Sequence, residues 1–371
     1  MTILNEDSLD NKIENAKEFV NKLREVEELI KVRKYESAAT FLQVSKPYCI
    51  TAQSHLGNSL YFTALADIYL GIEQKQQCEK ACDRVYHNLV KARQKLAGEQ
   101  TGDDSDIEGY FSLFVEPSSI ELWQDIIRYY LCLGNPNKAL CSFNELEIEI
   151  QNLIELSPST TDINTFKEIY NPFKIVFIAW GYNQLGYYQK GLDLLQSRNF
   201  DVVGFGEGLN SSIELLKMLN ESENSDSPSK HLMQSLLEEF QNNQEQISSK
   251  IKEQEQMFIE SIDKNDCQIF INELENHKVF FNSIFSNLRK LLDEEALTSL
   301  NLNISDKDKI YIPPLAIITC WQTGVSLLNL GEENRGRQLI NSIKSVLAEG
   351  ENKFSLQDTF ERELVSLIQQ S

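Results

Sequence analysis

Residues 120–148 read IELWQDIIRYYLCLGNPNKALCSFNELEI, and this stretch is the most informative feature of the chain. Its first half predicts an amphipathic helix, because apolar residues recur there at helical spacing. Gly134 can adopt the left-handed conformation that ends a helix, and Pro136 prevents simple continuation of that helix. A second helix then begins, with the small residue Ala139 in its first turns and Phe143 on the same side. The stretch therefore predicts two antiparallel helices joined by a short loop.

Similar hairpins are visible elsewhere in the chain. Two good copies place their turn glycines at Gly186 and Gly331, and each has a glycine where the first copy has Ala139. Two weaker copies lie nearer the N-terminus. One has Arg33 where the turn glycine is expected, and the other ends its first helix at Gly71, after which the second helix is out of step. Because one hairpin cannot bury its apolar face alone, we expect the copies to stack on one another.

This pattern resembles the tetratricopeptide repeat family, whose motif alternates large, small and aromatic residues around a turn glycine. The residues that carry the resemblance are Trp123, Tyr130, Gly134, Ala139 and Phe143. The family repeats every ~34 residues, whereas the glycines at positions 71, 134 and 186 are 63 and 52 residues apart, so we expect extra helix or loop between copies. The resemblance implies an all-α, right-handed solenoid of antiparallel helical hairpins with a C-terminal helical module. Its concave face would hold a peptide or a partner's helix.

The composition is that of a folded helical protein. Of the 371 residues, 41% are hydrophobic and 25% are charged, and the length favours two modules or one long solenoid over a single compact core. The 35 basic and 56 acidic residues give a net charge of −21. This charge disfavours nucleic acid and anionic lipid and favours a protein partner with a basic surface. It is also typical of a protein that is simply soluble, and both interpretations stay open.

Changes in composition along the chain predict its domain organisation. Residues 220–230, NESENSDSPSK, combine serine, acids and a proline without any hydrophobic residue, which is typical of a linker. We therefore predict N-terminal helical repeats at 1–219 and a C-terminal helical module with a further hairpin at 231–371. Residues 98–109 are acidic and lack an apolar period, so they predict an exposed loop. Residues 241–256 contain only two aliphatic side chains and predict a solvated helix or a short coiled-coil arm.

The location expected from the sequence is the cytoplasm. The first residues carry neither a secretory signal nor a basic transit peptide. The seven cysteines lie mostly on apolar helical faces, which favours reduced core thiols over disulfides. The longest apolar stretch, 310–330, contains two prolines, a glutamine and an asparagine, and it carries the hairpin signature around Gly331. We interpret it as a buried hairpin helix, so no stable membrane span is expected.

Two patterns resemble sites for chemistry, and for each we favour a structural explanation. The glycine-rich loop at 204–208 lacks the lysine and hydroxyl residue of a phosphate-binding loop and the spacing of a dinucleotide loop. Cys78, Cys82 and His87 supply three potential zinc ligands where four are usual, with His55 as a possible fourth. Core thiols and a surface imidazole explain these residues without metal. None of the four histidines accompanies a nucleophile motif, so we predict no enzyme, no cofactor and no bound metal.

Residues near two hairpin turns are the candidates for partner binding. Tyrosine is favoured at protein interfaces, and the first helices of a solenoid's hairpins would face its groove. We expect Tyr130 and Tyr182 in the core, because they occupy the packing position of the family's motif. Other residues lie off this stripe or loosely match the basic clamp of chaperone-binding members of the family. These candidate partner-binding residues are Arg128, Tyr129, Lys174, Asn183 and Gln184.

Together these patterns predict a non-catalytic adaptor or scaffold that acts as a subunit or receptor of a larger assembly, through a helix-in-groove or extended-peptide mode. The degenerate hairpins, the glycine-rich loop and the serine-rich linker also resemble peroxisomal docking factors that recruit an AAA ATPase. That alternative implies a location peripheral to an organelle membrane. A helical enzyme or metal-binding protein is the alternative of another class. A peptide-sensing regulator is a third, although no basic helix-turn-helix module is visible.

Overall fold

The computed structural model describes residues 9–52, 54–96, 108, 111, 118–156, 160–197, 228–289, 314–348 and 358–371. Across these residues the chain forms thirteen α-helices and no strand, which confirms the all-α class. The helices are α1 Leu9–Lys31, α2 Tyr35–Ala52, α3 His55–Gly71, α4 Lys75–Leu96, α5 Ser119–Cys132, α6 Pro136–Leu156, α7 Thr160–Gln184, α8 Tyr188–Gln196, α9 Pro228–Lys264, α10 Gln268–Arg289, α11 Pro314–Asn329, α12 Glu333–Ala348 and α13 Thr359–Gln370.

The chain divides into two compact units. Unit 1 contains Met1–Ile163 and Gln357–Ser371, so it holds helices α1 to α6 together with α13. Unit 2 contains Asn164–Leu356 and holds most of α7 together with α8 to α12. The linker predicted at 220–230 lies outside the described residues up to position 227, and its last three residues begin α9. The predicted modules on either side of that linker stay a prediction.

In the described residues, the same backbone turn joins the helices of six hairpins. These hairpins are α1–α2, α3–α4, α5–α6, α7–α8, α9–α10 and α11–α12. Between α5 and α6, the N–H of Gly134 donates to the carbonyl of Leu131 (3.1 Å), and the N–H of Asn135 donates to the carbonyl of Tyr130 (2.8 Å). This pair of bonds is the Schellman motif, which needs a left-handed residue just after the helix. Equivalent bonds close the other five turns. The left-handed residues are Arg33, Glu73, Gly134, Gly186, Asn265 and Gly331.

Small side chains allow the two helices of a hairpin to touch. In the α11–α12 hairpin, a Cβ on Gly336 would lie 2.7 Å from the carbonyl oxygen of Gly324 and 2.6 Å from the amide nitrogen of Leu328. Backbone atoms meet directly there, so only glycine fits. Gly336 is the fifth residue after the left-handed residue of its turn. Small residues hold the same position in four other hairpins, and they are Ala38, Cys78, Ala139 and Gly191.

The sequence prediction that Gly71 is a turn glycine is wrong. The left-handed residue of this turn is Glu73, with φ of 60°, and Gly71 is the last residue of α3. Cys78 follows Glu73 at the same interval as Ala139 follows Gly134, so α4 is in step with the other second helices. Gly71 is required by packing instead, because a Cβ there would overlap the aromatic ring of Tyr35 in α2.

Substitutions at Glu73 and Gly71 test separately which residue forms the turn and which residue is required by packing. We expect Glu73→Gly to stabilise the chain by about 1 kcal/mol, because a side chain strains the left-handed conformation. We expect Gly71→Ala to destabilise it by about 1 to 3 kcal/mol, because the new Cβ would overlap the Tyr35 ring. Urea unfolding followed by circular dichroism measures both changes. The opposite pair of signs would restore Gly71 as the turn residue.

Glu108 lies in the stretch that the sequence predicts to be an exposed loop, and at this residue the prediction is wrong. Its side chain is buried, and its carboxylate accepts hydrogen bonds from the backbone N–H groups of His55 (2.9 Å) and Leu56 (2.6 Å). These N–H groups begin α3 and have no partner within the helix. The helix dipole also favours a negative charge there, so Glu108 caps α3 together with Ser54.

The apolar stretch 310–330 forms α11 in its described part, and the buried side chains of α11 agree with the hairpin-helix interpretation. Trp321 of α11 lies edge-on to Trp180 of α7, with ring centroids 5.3 Å apart, which joins two hairpins of unit 2. None of the described helices combines the length and apolar character needed to cross a bilayer.

Residues 241–256 lie within α9, which pairs with α10. The glycine-rich loop at 204–208 lies outside the described residues.

Candidate functional site

Helix α13 packs on α3 and α5, the first helices of two hairpins in unit 1. It is amphipathic, and its buried face consists of Phe360, Leu364 and Ile368, spaced four residues apart along one side of the helix. Burying each of these side chains contributes about 1.5 to 3 kcal/mol relative to leaving it exposed. Asp358 caps the helix by accepting a hydrogen bond from the backbone N–H of Glu361 at 2.7 Å. The surface formed by α3 and α5 therefore holds an amphipathic helix, and we call it the α3–α5 face.

Three carboxyl groups meet where α13 begins. Asp67 belongs to α3, Asp125 to α5, and Asp358 is the N-cap of α13. The side chains of Thr359 and Tyr129 hydrogen-bond to Asp67. Asp67 Oδ1 is buried without a hydrogen-bond partner among the described residues. We call Asp67, Asp125 and Asp358 the carboxyl cluster.

Burial changes the titration of Asp67 and Asp125. It raises the pKa of Asp67 to about 7, and the negative charges of Asp358 and Asp125 add to the effect. It also raises the pKa of Asp125 to about 7, although the neighbouring guanidinium of Arg128 opposes the increase. The charge of Asp358 disfavours ionisation of both Asp67 and Asp125, so protonation of these two carboxyls relieves repulsion beneath the first turn of α13.

Arg128 and Tyr129 were predicted to contact a partner, and the structure places both against the chain's own residues. Arg128 Nη1 lies 3.2 Å from Asp125 Oδ1, and the guanidinium lies 5.5 Å from the ring centroid of Phe360 in α13. Tyr129 is only 5% exposed, so the prediction that it lies off the packing stripe is wrong. The reason is that α5 packs on α3, α4, α6 and α13, so apolar packing covers more of it than one stripe.

Polar contacts at the edge of α13, one ion pair and one hydrogen bond to a backbone carbonyl, contribute less than its apolar face. Lys75 Nζ lies 3.9 Å from Glu363, and Arg362 Nη1 donates to the carbonyl of Lys31 at 3.5 Å. Exposed pairs at such distances typically contribute between 0 and about 1 kcal/mol. The apolar anchors therefore account for most of the stabilisation of α13 on the α3–α5 face.

Asn183 was also predicted to contact a partner, but it is buried inside unit 2 and only 4% exposed. Its Nδ2 donates to the backbone carbonyl and to Oε1 of Gln322, both at 3.0 Å, and its Oδ1 accepts a hydrogen bond from Ser326 at 2.9 Å. These contacts join α7 to α11, so the prediction that Asn183 lies off the packing stripe is wrong. Lys174 is half-buried and Gln184 is exposed, and their role in partner binding stays a prediction.

Among the described residues, the residues considered as zinc ligands do not converge into a group of three. Cys78 and Cys82 lie in the core of unit 1, where burial raises the pKa of the Cys82 thiol, and His87 is exposed. Among the described residues, metal-ligating atoms of three side chains converge at Glu253, Glu273 and His277. The sequence reasoning missed this group. The four-residue spacing of Glu273 and His277 is visible in the sequence, but the approach of Glu253 depends on helix packing.

Comparison with known proteins gives no match to this chain among protein-family models, curated proteins or solved structures.

The raised pKa values of Asp67 and Asp125 predict that stability depends on pH. Both carboxyls ionise near pH 4 in an unfolded chain, whereas their folded pKa is about 7. Protonation of these carboxyls in the folded chain therefore contributes to stability. This contribution is complete below about pH 4 and is lost as the pH rises through about 7. We expect the free energy of unfolding to increase from pH 8 to pH 5, and Asp67→Asn/Asp125→Asn to reduce that increase by about 1 to 3 kcal/mol. Urea titrations at both pH values measure it.

The matched control for this prediction is Glu36→Gln, which removes an exposed acid from the same unit. Its pH dependence should follow that of the native chain. An Asp67→Asn/Asp125→Asn variant with the native pH dependence would show that the carboxyl cluster does not take up the protons.

The burial of Asn183 predicts a structural role that a surface residue would not have. We expect Asn183→Ala to lower the free energy of unfolding by about 1 to 3 kcal/mol, because Gln322 and Ser326 lose buried hydrogen-bond partners. The neighbouring exposed change Gln184→Ala should alter it by less than about 0.5 kcal/mol. Urea unfolding of the two variants makes the comparison. Equal effects would mean that Asn183 is not part of a buried network.

Proposed function

We propose that this chain is a non-catalytic, tetratricopeptide-like adaptor whose α3–α5 face binds an amphipathic helix of a protein partner within a larger assembly. The observation that carries the proposal is α13, an amphipathic helix of the chain itself, seated on that face by three buried apolar anchors. Helix-in-groove recognition uses anchors at this kind of spacing. The chain's own helix is thus a template for the ligand.

The repeated hairpins support the same proposal. The resemblance to tetratricopeptide repeats implies a ligand groove lined by the first helices of successive hairpins. Here α3 and α5 are the first helices of their hairpins, and each ends in a Schellman turn. A small residue, Cys78 or Ala139, follows five positions after the left-handed residue of each turn. Helix α13 packs on these two first helices, which supports the proposal that a ligand would bind there.

The carboxyl cluster indicates which partner would replace α13. At neutral pH the N-cap Asp358 brings a third carboxylate towards Asp67 and Asp125, and its charge raises the pKa of both. A partner helix with the same apolar anchors but with a neutral or basic residue in place of Asp358 avoids this repulsion. The proposed ligand is accordingly an amphipathic helix with a neutral or basic N-terminal turn, which agrees with the basic partner expected from the net charge.

Peptide exchange tests the proposal. Leu364→Asp/Ile368→Asp in the full chain should release α13, because two carboxylates replace buried anchors. A fluorescent peptide of residues 357–371 should then bind this variant with micromolar affinity by fluorescence anisotropy, and at least about ten-fold more weakly to the native chain, whose face is occupied. The same peptide with Asp358→Asn should bind more tightly at pH 7.5.

Two controls make the peptide result specific. A peptide carrying Leu364→Asp and Ile368→Asp lacks the anchors and should not bind. Circular dichroism checks that the variant chain keeps its helices. If the folded variant does not bind the native peptide, or if releasing α13 unfolds unit 1, then α13 is a permanent structural element and the proposal is wrong.

A further inference from the structure

A histidine and two glutamates meet between α9 and α10 of unit 2. Glu253 belongs to α9, whereas Glu273 and His277 lie four residues apart on the same side of α10. His277 Nε2 is 3.1 Å from Glu273 Oε1 and 3.2 Å from Glu253 Oε2. The histidine is 5% exposed, whereas the Glu253 side chain is 54% exposed. One side of the group is therefore held in the protein and the other side is open to water.

The spacing of these atoms is that of ligands around a metal ion. Zinc binds imidazole nitrogen and carboxylate oxygen at about 2.0 to 2.2 Å, which separates neighbouring ligand atoms by roughly 3.0 to 3.5 Å. Both distances from His277 Nε2 fall in this range. The ligand atoms of all three side chains lie within 4.8 Å of one another, and the exposed Glu253 can rotate to close the remaining gap.

We propose that Glu253, Glu273 and His277 bind a divalent transition-metal ion of the Zn²⁺ class, with water completing its coordination. Two carboxylates and a neutral imidazole carry a charge of −2, which a divalent cation neutralises. One imidazole with two carboxylates is a ligand set that suits Zn²⁺, Co²⁺ or Mn²⁺, whereas Ca²⁺ and Mg²⁺ favour oxygen ligands alone. The bound ion links α9 to α10 and stabilises the folded state. This inference does not depend on the adaptor function proposed above.

The competing explanation is an ion pair, in which a protonated His277 donates to the two carboxylates. Protonated imidazole cannot bind a metal, so the two explanations differ in a measurable way. The metal explanation requires stoichiometric binding that is lost with any one ligand. The ion-pair explanation requires no metal binding at this group.

Isothermal titration calorimetry with Zn²⁺ tests the proposal on the full chain after removal of metal by a chelator. We expect one Zn²⁺ per chain at this group and a higher melting temperature in its presence. His277→Ala and Glu253→Gln should each weaken the affinity at least ten-fold. Glu253→Gln keeps the result interpretable if His277→Ala fails to fold, because Glu253 is largely exposed. Co²⁺ should give absorption bands without thiolate charge transfer, which separates this site from the cysteines.

The matched control is His87→Ala, which removes an exposed histidine of unit 1 and should leave Zn²⁺ binding unchanged. Zn²⁺ binding that Glu253→Gln leaves unchanged would overturn the proposal, as would a native chain whose melting temperature does not respond to Zn²⁺. Either result would assign the group to an ion pair alone.

Discussion

The left-handed residue at the end of each first helix is the constraint on which the described hairpins depend. It allows the Schellman bonds to form, reverses the chain within two or three residues, and sets which residue of the second helix meets the first. The side chain at this position varies among arginine, glutamate, asparagine and glycine, because the strain of about 1 to 2 kcal/mol is small beside the burial of a whole hairpin. The close contact five residues later is stricter in the five hairpins that carry a small residue there. At Gly336 it brings backbone atoms together, and no side chain fits.

Unit 1 combines strong apolar docking with an electrostatic penalty at one end of α13. Phe360, Leu364 and Ile368 hold the helix along its length, whereas Asp358 adds negative charge next to two half-buried carboxyls. A permanent core helix would gain from a neutral cap at this position. We expect repulsion within the carboxyl cluster to weaken the docking of α13 at neutral pH, and in the proposed function this weaker docking would allow a better-matched helix to compete. The same feature thus explains both the expected pH dependence and the proposed exchange of ligands.

Unit 2 contains two polar groups with different physical character. Asn183, Gln322 and Ser326 satisfy one another inside the protein, and a closed network of this kind holds α7 and α11 in one register. The group of Glu253, Glu273 and His277 is open, with one buried imidazole and one carboxylate in solvent. A closed network has no place for a ligand, whereas an open group with excess negative charge has one. This difference is why the metal inference rests on His277 and not on Asn183.

The all-α class and most of the hairpins could be predicted from the sequence, because helical periodicity, turn residues and small residues act over a few turns of one chain segment. Gly134, Gly186 and Gly331 were identified in this way, and Arg33 was identified as a degenerate turn. The same reasoning failed at Gly71, because the ring that requires a glycine there belongs to another helix.

The sites, in contrast, depend on contacts between different helices. Tyr129 and Asn183 are buried by helix packing, and Glu253 of α9 approaches His277 of α10. Helix α13 follows unit 2 in the sequence but packs on the α3–α5 face of unit 1. Each of these contacts joins residues that are distant in sequence. Local propensity carries no information about such pairs, since their approach depends on how the hairpins pack.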